Sequence, residues 1–337
     1  MADITQIPTR VYLDQNILDL IVKGHLANLK ESFKDTRHYQ VIYSFVTLEE
    51  ISRIANEEDR QQFFDCLEDL NALYFWIDQD EKAYFVDRRP SELYTEHIGN
   101  YSHFGDVQRS IEQIVFKLLG GRKDDDFATV VAEGRTAMNS LLDSLAGSLD
   151  EFEDETKFYK ENLQRSILIM RETYESVADE MVRQAEQSIK DTKTYEGIKH
   201  FRELTALGPL QLNNIKPPSV IPQIWKEIEK SDAFQSGEVT FETMFGNGLW
   251  KHLEKEPSTV EKINGLYNLL NTIGYYSDPK IQKERHFRTF MTDHRHAGCG
   301  SYAHILVSRD ERFIKKTAAI YEHLGIGTKI IWIKTEK

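Results

Sequence analysis

Four acidic side chains stand at the ends of short apolar runs or at the starts of helical patterns. Asp14 follows the run VYL, and Glu50 lies where the strand-like segment VIYSF gives way to a helical pattern. Much later in the chain, Asp293 opens a helical stretch and Asp310 follows the run ILV after two intervening residues. Oxygen ligands of this kind suit hard divalent cations such as Mg²⁺ and Mn²⁺. The residue types predict a metal site if the fold brings them together.

The elements that must position these residues alternate between strand and helix. The pattern predicts strands over residues 11–13, 40–44, 305–307 and 329–333. It predicts helices over residues 17–29, 47–55, 59–75, 293–302 and 312–324, with Thr47 as the cap of the second helix. Residues 287–291 would form a separate segment before the helix that Asp293 opens. This alternation predicts an α/β fold with a doubly wound parallel sheet and right-handed crossovers. Residues just beyond the carboxyl ends of neighbouring parallel strands meet in one crevice.

The middle of the chain has a different pattern. Helical spacing dominates residues 104–119, 125–149, 151–190 and 225–274, and the run 151–190 contains neither Pro nor Gly. We therefore predict a discontinuous α/β domain made of residues 1–84 and 276–337, interrupted by a large inserted α-helical module over residues 85–275. Such a module could cover the crevice, present a substrate platform or contact a protein.

Charge is distributed unevenly along the 337 residues. The formal net charge of −13 argues against a nucleic-acid partner at first sight. However, residues 277–337 carry twelve Lys and Arg against seven Asp and Glu, whereas residues 122–191 carry nine against seventeen. The segment that holds two of the four acids is thus locally basic. Some of its basic side chains, among them Lys315 and Lys316, could bind the phosphates of a nucleic-acid backbone. Alternatively, these side chains lie on solvent-exposed helix faces and bind nothing.

Cysteine content and hydropathy predict a reduced, cytoplasmic environment. The two cysteines, Cys66 and Cys299, are too few for a disulfide framework. No apolar run approaches the length of a membrane span, and the first ten residues lack an apolar signal core. We therefore expect a cytoplasmic protein with no membrane partner.

The four acids and their neighbours resemble the four acidic motifs of PIN-like domain nucleases. The motif residues read Asp14-x-Asn16, Ser44-x-x-Thr47-Leu48-x-Glu50-Ile51, Asp293-x-x-His296 and Ser308-x-Asp310. The resemblance covers about 80 residues at the amino-terminal side and about 60 at the other, and includes the closing helix and strand KKTAAIYEHLGIGTKIIWI. It implies a PIN-like sheet, and the spacing from Ser44 favours Glu50 over its neighbour Glu49 as the second acid.

The resemblance also implies roles for individual residues. Asp14, Glu50, Asp293 and Asp310 would be the catalytic carboxylates and the ligands of Mg²⁺ or Mn²⁺. The supporting residues would be Asn16, Ser308 and His296. The locally basic charge of the carboxyl-terminal segment, rather than the resemblance, suggests Arg295, Arg309 and Arg312 as substrate-binding residues.

Two other interpretations of these residues stay open at this stage. Asp14 and Asp310 could simply cap the helices that follow them. His294, His296 and Cys299 are close enough in sequence to suggest zinc, although a fourth ligand is missing nearby.

The leading hypothesis is a metal-dependent endoribonuclease that hydrolyses phosphodiester bonds in single-stranded RNA. The helical insertion suggests a regulated effector, such as a toxin or antiviral defence ribonuclease, that meets a protein regulator or a second copy through that module. The alternatives are a noncatalytic scaffold that binds a protein through the module and a structure-selective DNA nuclease, because no motif distinguishes RNA from DNA.

Overall fold

One six-stranded sheet unites distant parts of the chain in the computed structural model, which describes residues 7–100, 102–149, 157–235, 237–251 and 255–334. The strands are β1 (Thr9–Leu13), β2 (Tyr39–Tyr43), β3 (Leu73–Ile77), β4 (Ala83–Val86), β5 (Ile305–Ser308) and β6 (Lys329–Trp332). Their order is β4-β3-β2-β1-β5-β6, and every neighbouring pair is parallel except β3 and β4. The predicted α/β class with a mainly parallel sheet is confirmed, whereas its PIN-like character stays a prediction.

Fifteen α-helices connect or flank these strands in the described part of the chain. They are α1 (Gln15–Val22), α2 (Ala27–Lys34), α3 (Phe45–Ser52), α4 (Glu57–Asp69), α5 (Pro90–Asn100), α6 (Ser102–Leu118), α7 (Phe127–Ser148), α8 (Lys157–Ser188), α9 (Gly197–Thr205), α10 (Pro209–Leu212), α11 (Val220–Ile228), α12 (Phe241–Phe245), α13 (Thr259–Ile273), α14 (Glu284–Gly300) and α15 (Glu311–Leu324). Short 3₁₀ turns lie at Asp232–Phe234 and Asn247–Trp250.

Strand β1 lies in the middle of the sheet, between β2 and β5, and its second half is fully buried. Val11, Tyr12 and Leu13 are at most 2% exposed, and the core around them draws on helices α1 and α4 as well as on the neighbouring strands. Strands covered on both faces are apolar throughout, as the run VYL is. The next residue, Asp14, is the first polar side chain beyond this core, which fixes its place at the carboxyl end of the central strand.

Several element boundaries differ from the sequence-based expectation. The predicted helix over residues 17–29 is two helices, because Gly24 adopts a left-handed conformation between them. The predicted helix over residues 59–75 ends as α4 at Asp69, and its last three residues belong to β3. The left-handed Asn71 separates the two elements. The apolar residues at positions 70 and 73 have a helical spacing, and those at positions 73 and 75 have the spacing of a strand. The sequence pattern therefore did not distinguish the two elements.

Two further corrections concern the elements that carry the acids. Asp293 does not open a helix, because α14 already begins at Glu284 and includes the segment 287–291 that the sequence suggested was separate. Thr47 does not cap α3, because the helix begins at Phe45 after Ser44, and Thr47 is buried in its first turn. In both cases the helix starts earlier and its acid lies within it.

The chain divides into two compact units, and the division differs from the predicted domains. One unit contains Met1–Glu96, Phe201–Pro279 and Arg288–Lys337, and the other contains His97–His200 and Lys280–Phe287. Residues 201–275, which the sequence assigned to the inserted module, belong with the sheet because α11 and α13 pack on α15. The second unit is helical, with α6, α7 and α8 packed in sequence.

The turn between α15 and β6 offers a test of how the sheet unit is closed. Gly325 has φ +68° and no neighbouring atom in the way of a Cβ, whereas Gly327 is equally open but has no left-handed backbone. We expect Gly325→Ala to lower the free energy of unfolding by about 1 kcal/mol, because only glycine adopts this conformation without strain. Urea unfolding would measure it.

Gly327→Ala is the matched control for the same turn. It should leave stability unchanged or raise it slightly, because alanine restricts the unfolded chain. Equal effects of the two substitutions would contradict the proposed role of the Gly325 conformation.

Candidate metal centre

Asp14 and Ser308 meet where the parallel strands β1 and β5 end side by side. The Asp14 amide donates to the Val307 carbonyl at 3.0 Å, and the Ser308 hydroxyl donates to Asp14 Oδ2 at 2.6 Å. Asn16 Nδ2 donates to the same carboxylate oxygen, and Asn16 Oδ1 accepts from the Arg309 amide at 3.1 Å. Asp14 is 5% exposed and makes no capping bond to α1. Its carboxylate is therefore held by side chains as a site residue rather than as a helix cap.

Asp310 combines both roles that the sequence left open. Its Oδ1 caps α15 by accepting from the Phe313 amide at 3.0 Å. The same residue also lines the cavity that contains Asp14. Its amide donates to Ser308 Oγ at 3.0 Å, so Ser308 links the two acids. The cap fixes one carboxylate oxygen, which orients the side chain at the end of β5.

Glu50 and His296 form a hydrogen-bonded pair from α3 and α14. His296 Nε2 and Glu50 Oε2 are 2.7 Å apart, and His296 Nδ1 is 2.7 Å from the Tyr12 hydroxyl. Tyr12 also lies 2.9 Å from Ser44 Oγ, so a chain of polar groups runs into the core. Burial lowers the pKa of His296, but Glu50 and Asp14 outweigh it and the net pKa is raised. The imidazole is thus a proton-holding group beside the acids.

Glu49 faces different partners from Glu50. Its two carboxylate oxygens pair with Arg53 at 2.9 Å and with Arg295 at 2.6 Å. Burial raises the pKa of Glu49, but the charges of Arg295 and Arg53 lower it by more than burial raises it. The net pKa therefore lies below its usual value. Of the two neighbouring acids, Glu50 is the one that lines the cavity.

Asp293 lies one turn before His296 on α14 and lines the same cavity as Asp14 and Asp310. Burial raises its pKa well above the usual carboxyl value, and repulsion from Asp14 adds to the effect. The pKa of Asp14 is raised as well, chiefly by burial, with Glu50 and Asp310 contributing in the same direction. Raised carboxyl pKa values show that these acids crowd one another in a poorly solvated place.

An open cavity of about 870 Å³ lies beyond the carboxyl ends of β1 and β5. It is lined by all four predicted carboxylates, Asp14, Glu50, Asp293 and Asp310, and by three basic side chains, Lys23, Arg53 and Arg309. Cations at the rim of an acidic cavity suit a ligand that carries negative charge and binds a metal at the same time.

Within the described residues, Asp14, Glu50 and His296 offer ligand atoms that all lie within 4.8 Å of one another. Two carboxylates and an imidazole are a donor set that a divalent ion such as Mn²⁺ accepts. The orientation of His296 is set by Tyr12 at Nδ1, which leaves Nε2 directed toward Glu50 and the cavity. Histidine ligands are commonly fixed in this way through their second nitrogen.

The predicted substrate-binding arginines do not act as one group. Arg309 is exposed and lines the cavity. Arg295 forms an ion pair with Glu49 and is 17% exposed, and Arg312 is exposed on α15 but is not among the described residues that line the cavity. Position along α14 and α15 explains the difference, because neighbouring helix residues point in different directions.

The suggested zinc grouping does not form among the described residues. His294 is buried, with its ring centroid 5.8 Å from that of Phe290 and 6.3 Å from that of Tyr267, whereas His296 bonds Glu50 and Tyr12. Burial lowers the pKa of His294 to about 3, so it stays neutral. The two imidazoles have different surroundings because residues two positions apart on a helix point in different directions.

A buried ion pair beside the acids was missed by sequence reasoning. Lys316 was considered as a phosphate contact, but it is 0% exposed and pairs with Asp278. Its ammonium lies 4.3 Å from the Tyr267 ring centroid and lowers the pKa of Asp293, against the larger effects of burial and Asp14. Lys316 falls in helical register with the apolar Phe313 and Ile320, a pattern that signals an inward-facing position.

Tyr267 is a second residue that the sequence did not single out. Its hydroxyl is buried and has no hydrogen-bond partner among the described atoms. Burial raises its pKa well above the usual value, and the next largest cause is Asp293, which places the two residues near each other. This hydroxyl forms part of the wall behind Asp293.

No protein-family model, curated protein or solved structure matches this chain. The resemblance to PIN-like nucleases therefore rests on the motif residues of the sequence.

None of the helices in the described parts of the chain combines the length and the apolar character needed to cross a bilayer.

The buried ion pair can be tested through stability. Lys316→Met leaves Asp278 without its counter-charge, and we expect a loss of about 3–5 kcal/mol in the free energy of unfolding. Lys315→Met, at the neighbouring and partly exposed position, should change stability by less than about 1 kcal/mol. Urea unfolding of both variants would measure the difference. Similar stabilities would contradict a buried role for Lys316.

The crowded acids should make stability depend on pH. Because the folded-state pKa of Asp293 exceeds its usual value of 3.8, its proton stabilises the native state at low pH and this contribution is lost as pH rises. With EDTA present, the free energy of unfolding of wild type should fall relative to Asp293→Asn as pH rises from about 4 to 8. A constant difference over that range would show that Asp293 is not under strain from its neighbours.

Proposed function

We propose that the protein is a metal-dependent nuclease. The observation that supports this proposal is that the four motif carboxylates, from four separate elements, line one open cavity, where Glu50 bonds an imidazole. Asp19, Asp59 and three basic side chains line the same cavity. Acids alone would be ordinary on a protein surface. Their convergence in a poorly solvated crevice, at a cost in mutual repulsion, is the arrangement expected of a site that binds a cation.

The residues fit a divalent cation. Asp14, Glu50 and His296 would hold it, with Asp293 and Asp310 as further carboxylates on the same cavity. We propose Mn²⁺ or Mg²⁺, and the imidazole favours Mn²⁺ because Mg²⁺ prefers oxygen ligands. Such an ion would polarise the phosphoryl oxygens and make water a stronger nucleophile.

The other side chains hold the site in shape. Ser308 and Asn16 both donate to Asp14 Oδ2, which leaves Oδ1 to face a cation. His296 Nε2 and Glu50 Oε2 share a hydrogen bond, and a cation held by both residues would take the place of its proton. Tyr12 keeps the imidazole in position at its other nitrogen.

The substrate we propose is a phosphodiester in single-stranded RNA. Arg309 on the cavity rim would pair with a phosphate, and Lys23 and Arg53 would do so by leaving their ion pairs with Asp19 and Glu49. Among the described residues that line the cavity, Phe63 is the one aromatic side chain on which a base could stack. The preference for RNA rests on the resemblance to PIN-like nucleases. The alternatives are a DNA nuclease and a noncatalytic scaffold, and the assays below distinguish them from an RNA nuclease.

We further propose that the nuclease is a regulated cytoplasmic effector, such as a toxin or an antiviral defence ribonuclease. Both cysteines are free thiols, which suits a reducing compartment. The effector role rests on the resemblance and on the presence of a separate helical unit beside the sheet unit in sequence.

Cleavage assays with labelled single-stranded RNA and DNA test the site directly. We expect Asp14→Asn, Asp293→Asn and Asp310→Asn each to reduce metal-dependent cleavage by about 100-fold or more, because each removes a carboxylate and keeps its volume. Glu311→Gln, next to Asp310 but exposed, is the control that should retain activity. Each variant would be assayed with Mn²⁺, with Mg²⁺ and with EDTA.

Glu50 and Glu49 provide a second matched pair in the same assay. Glu50→Gln should abolish most cleavage, whereas Glu49→Gln loses an ion pair outside the cavity and should keep most of it. Cleavage of DNA alone would replace the RNA assignment. Binding of Mn²⁺ without cleavage of either substrate would favour the scaffold.

A further inference from the structure

Helix α8 has two apolar faces but packs only one of them within its own unit. The packed face contacts α6 and α7 through Ile167, Tyr174 and Ala178. A second line along the helix carries large apolar side chains that are at least 40% exposed, namely Tyr159, Leu163, Met170, Val177 and Met181, whereas the exposed Phe158, Leu168 and Ile169 lie on other sides of the helix. We call these five residues the Met170 stripe. Exposed apolar residues scattered singly are ordinary, whereas a continuous row on one helix marks a contact surface.

The Met170 stripe is straight. Successive residues of an α-helix are rotated by about 100° and rise about 1.5 Å, so the five side chains lie within about 20° of one line that is about 33 Å long. The packed residues Tyr174, Ile167 and Ala178 lie about 40°, 60° and 80° around the helix by the same rotation. The stripe therefore lies beside the contact with α7 and does not overlap it.

The stripe is also symmetric about its midpoint. Leu163 and Val177 each lie seven residues from Met170, and Tyr159 and Met181 each lie eleven residues from it. A partner that matches such a row is the same row running in the opposite direction. A twofold axis beside Met170 would place Met170 on its counterpart, and Leu163 on Val177 of the second copy. Twofold dimers use one surface twice in this way.

The charges of α8 favour the same orientation. From Phe158 to Arg171 the helix carries three basic residues and one acidic residue, whereas from Glu172 to Ser188 it carries one basic and five acidic residues. Ion pairs to α7 reduce both surpluses, because Arg171 pairs with Asp143, and Arg135 pairs with Glu175 and Asp179. Parallel pairing would place like charges together, and antiparallel pairing places opposite charges together.

We propose that two copies of this chain associate through α8, antiparallel, about a twofold axis at Met170. The apolar stripe provides the contact, and the opposite charges of the two helix halves set its direction. This interface involves none of the residues of the metal centre. It therefore stands or falls independently of the proposed nuclease activity.

Sedimentation of the full chain tests the association. We expect wild type to approach twice the monomer mass of 39.3 kDa as protein concentration is raised. Met170→Glu should remain a monomer over a range of about 100-fold in concentration, because two glutamates would face each other at the axis. Met170 is 48% exposed, so the substitution should leave the helical content unchanged by circular dichroism.

Leu168→Glu is the matched control on the same helix. Leu168 is 59% exposed and lies on the side of α8 opposite to the stripe, so its replacement should leave dimerisation intact. A monomeric wild type, or equal effects of Met170→Glu and Leu168→Glu, would overturn the proposal.

Cysteine cross-linking tests the direction. Met170→Cys should form a disulfide-linked dimer under mild oxidation, and Leu163→Cys should do so only when mixed with Val177→Cys. Wild type, with its native Cys66 and Cys299, gives the background. Self-cross-linking of Leu163→Cys without cross-linking in the mixture would indicate a parallel dimer and overturn the antiparallel arrangement.

Discussion

The parallel pairing of β1 with β5 is the contact on which the candidate site depends. Leu13 pairs in register with Val307, so the first residues beyond both strands lie side by side. The hydrogen bond from Ser308 to Asp14 joins residues 294 positions apart. A slip of one residue in this register would turn every side chain of the strand to the other face and separate the acids. The backbone ladder therefore sets the geometry of the carboxylates before any ligand arrives.

The acids of the cavity are balanced by groups placed at different depths. His296 shares a hydrogen bond with Glu50 at the cavity wall, and Lys316 supplies a buried positive charge behind Asp293. Asp278 pairs with that lysine and keeps it from becoming an isolated buried charge. The acids that line the cavity therefore have positive partners both at its wall and in the core behind it.

The sequence predicted the sheet and the acids better than the helix boundaries. Apolar runs before Asp14 and Asp310 identified both strands, because buried parallel strands are apolar throughout. The start of α14 was misjudged because Asp293 resembles a helix cap, whereas the side chain serves the cavity. Lys316 and Tyr267 could not be assigned, since their roles depend on packing between α13 and α15, which no local pattern encodes. The unit boundaries failed for the same reason.

The sheet order has a consequence for the newly made chain. Strands β1 to β4 leave the ribosome first, and 218 residues, from position 87 to position 304, separate β4 from β5. At synthesis rates of about 5–20 residues per second, β1 waits about 10–40 s with one edge unpaired. Such an edge is open to association with other chains, so this interval is a natural point of action for chaperones. It also means that Asp14 and Glu50 exist without Asp293 and Asp310 until β5 has been made, and a product truncated before α14 would carry half a site.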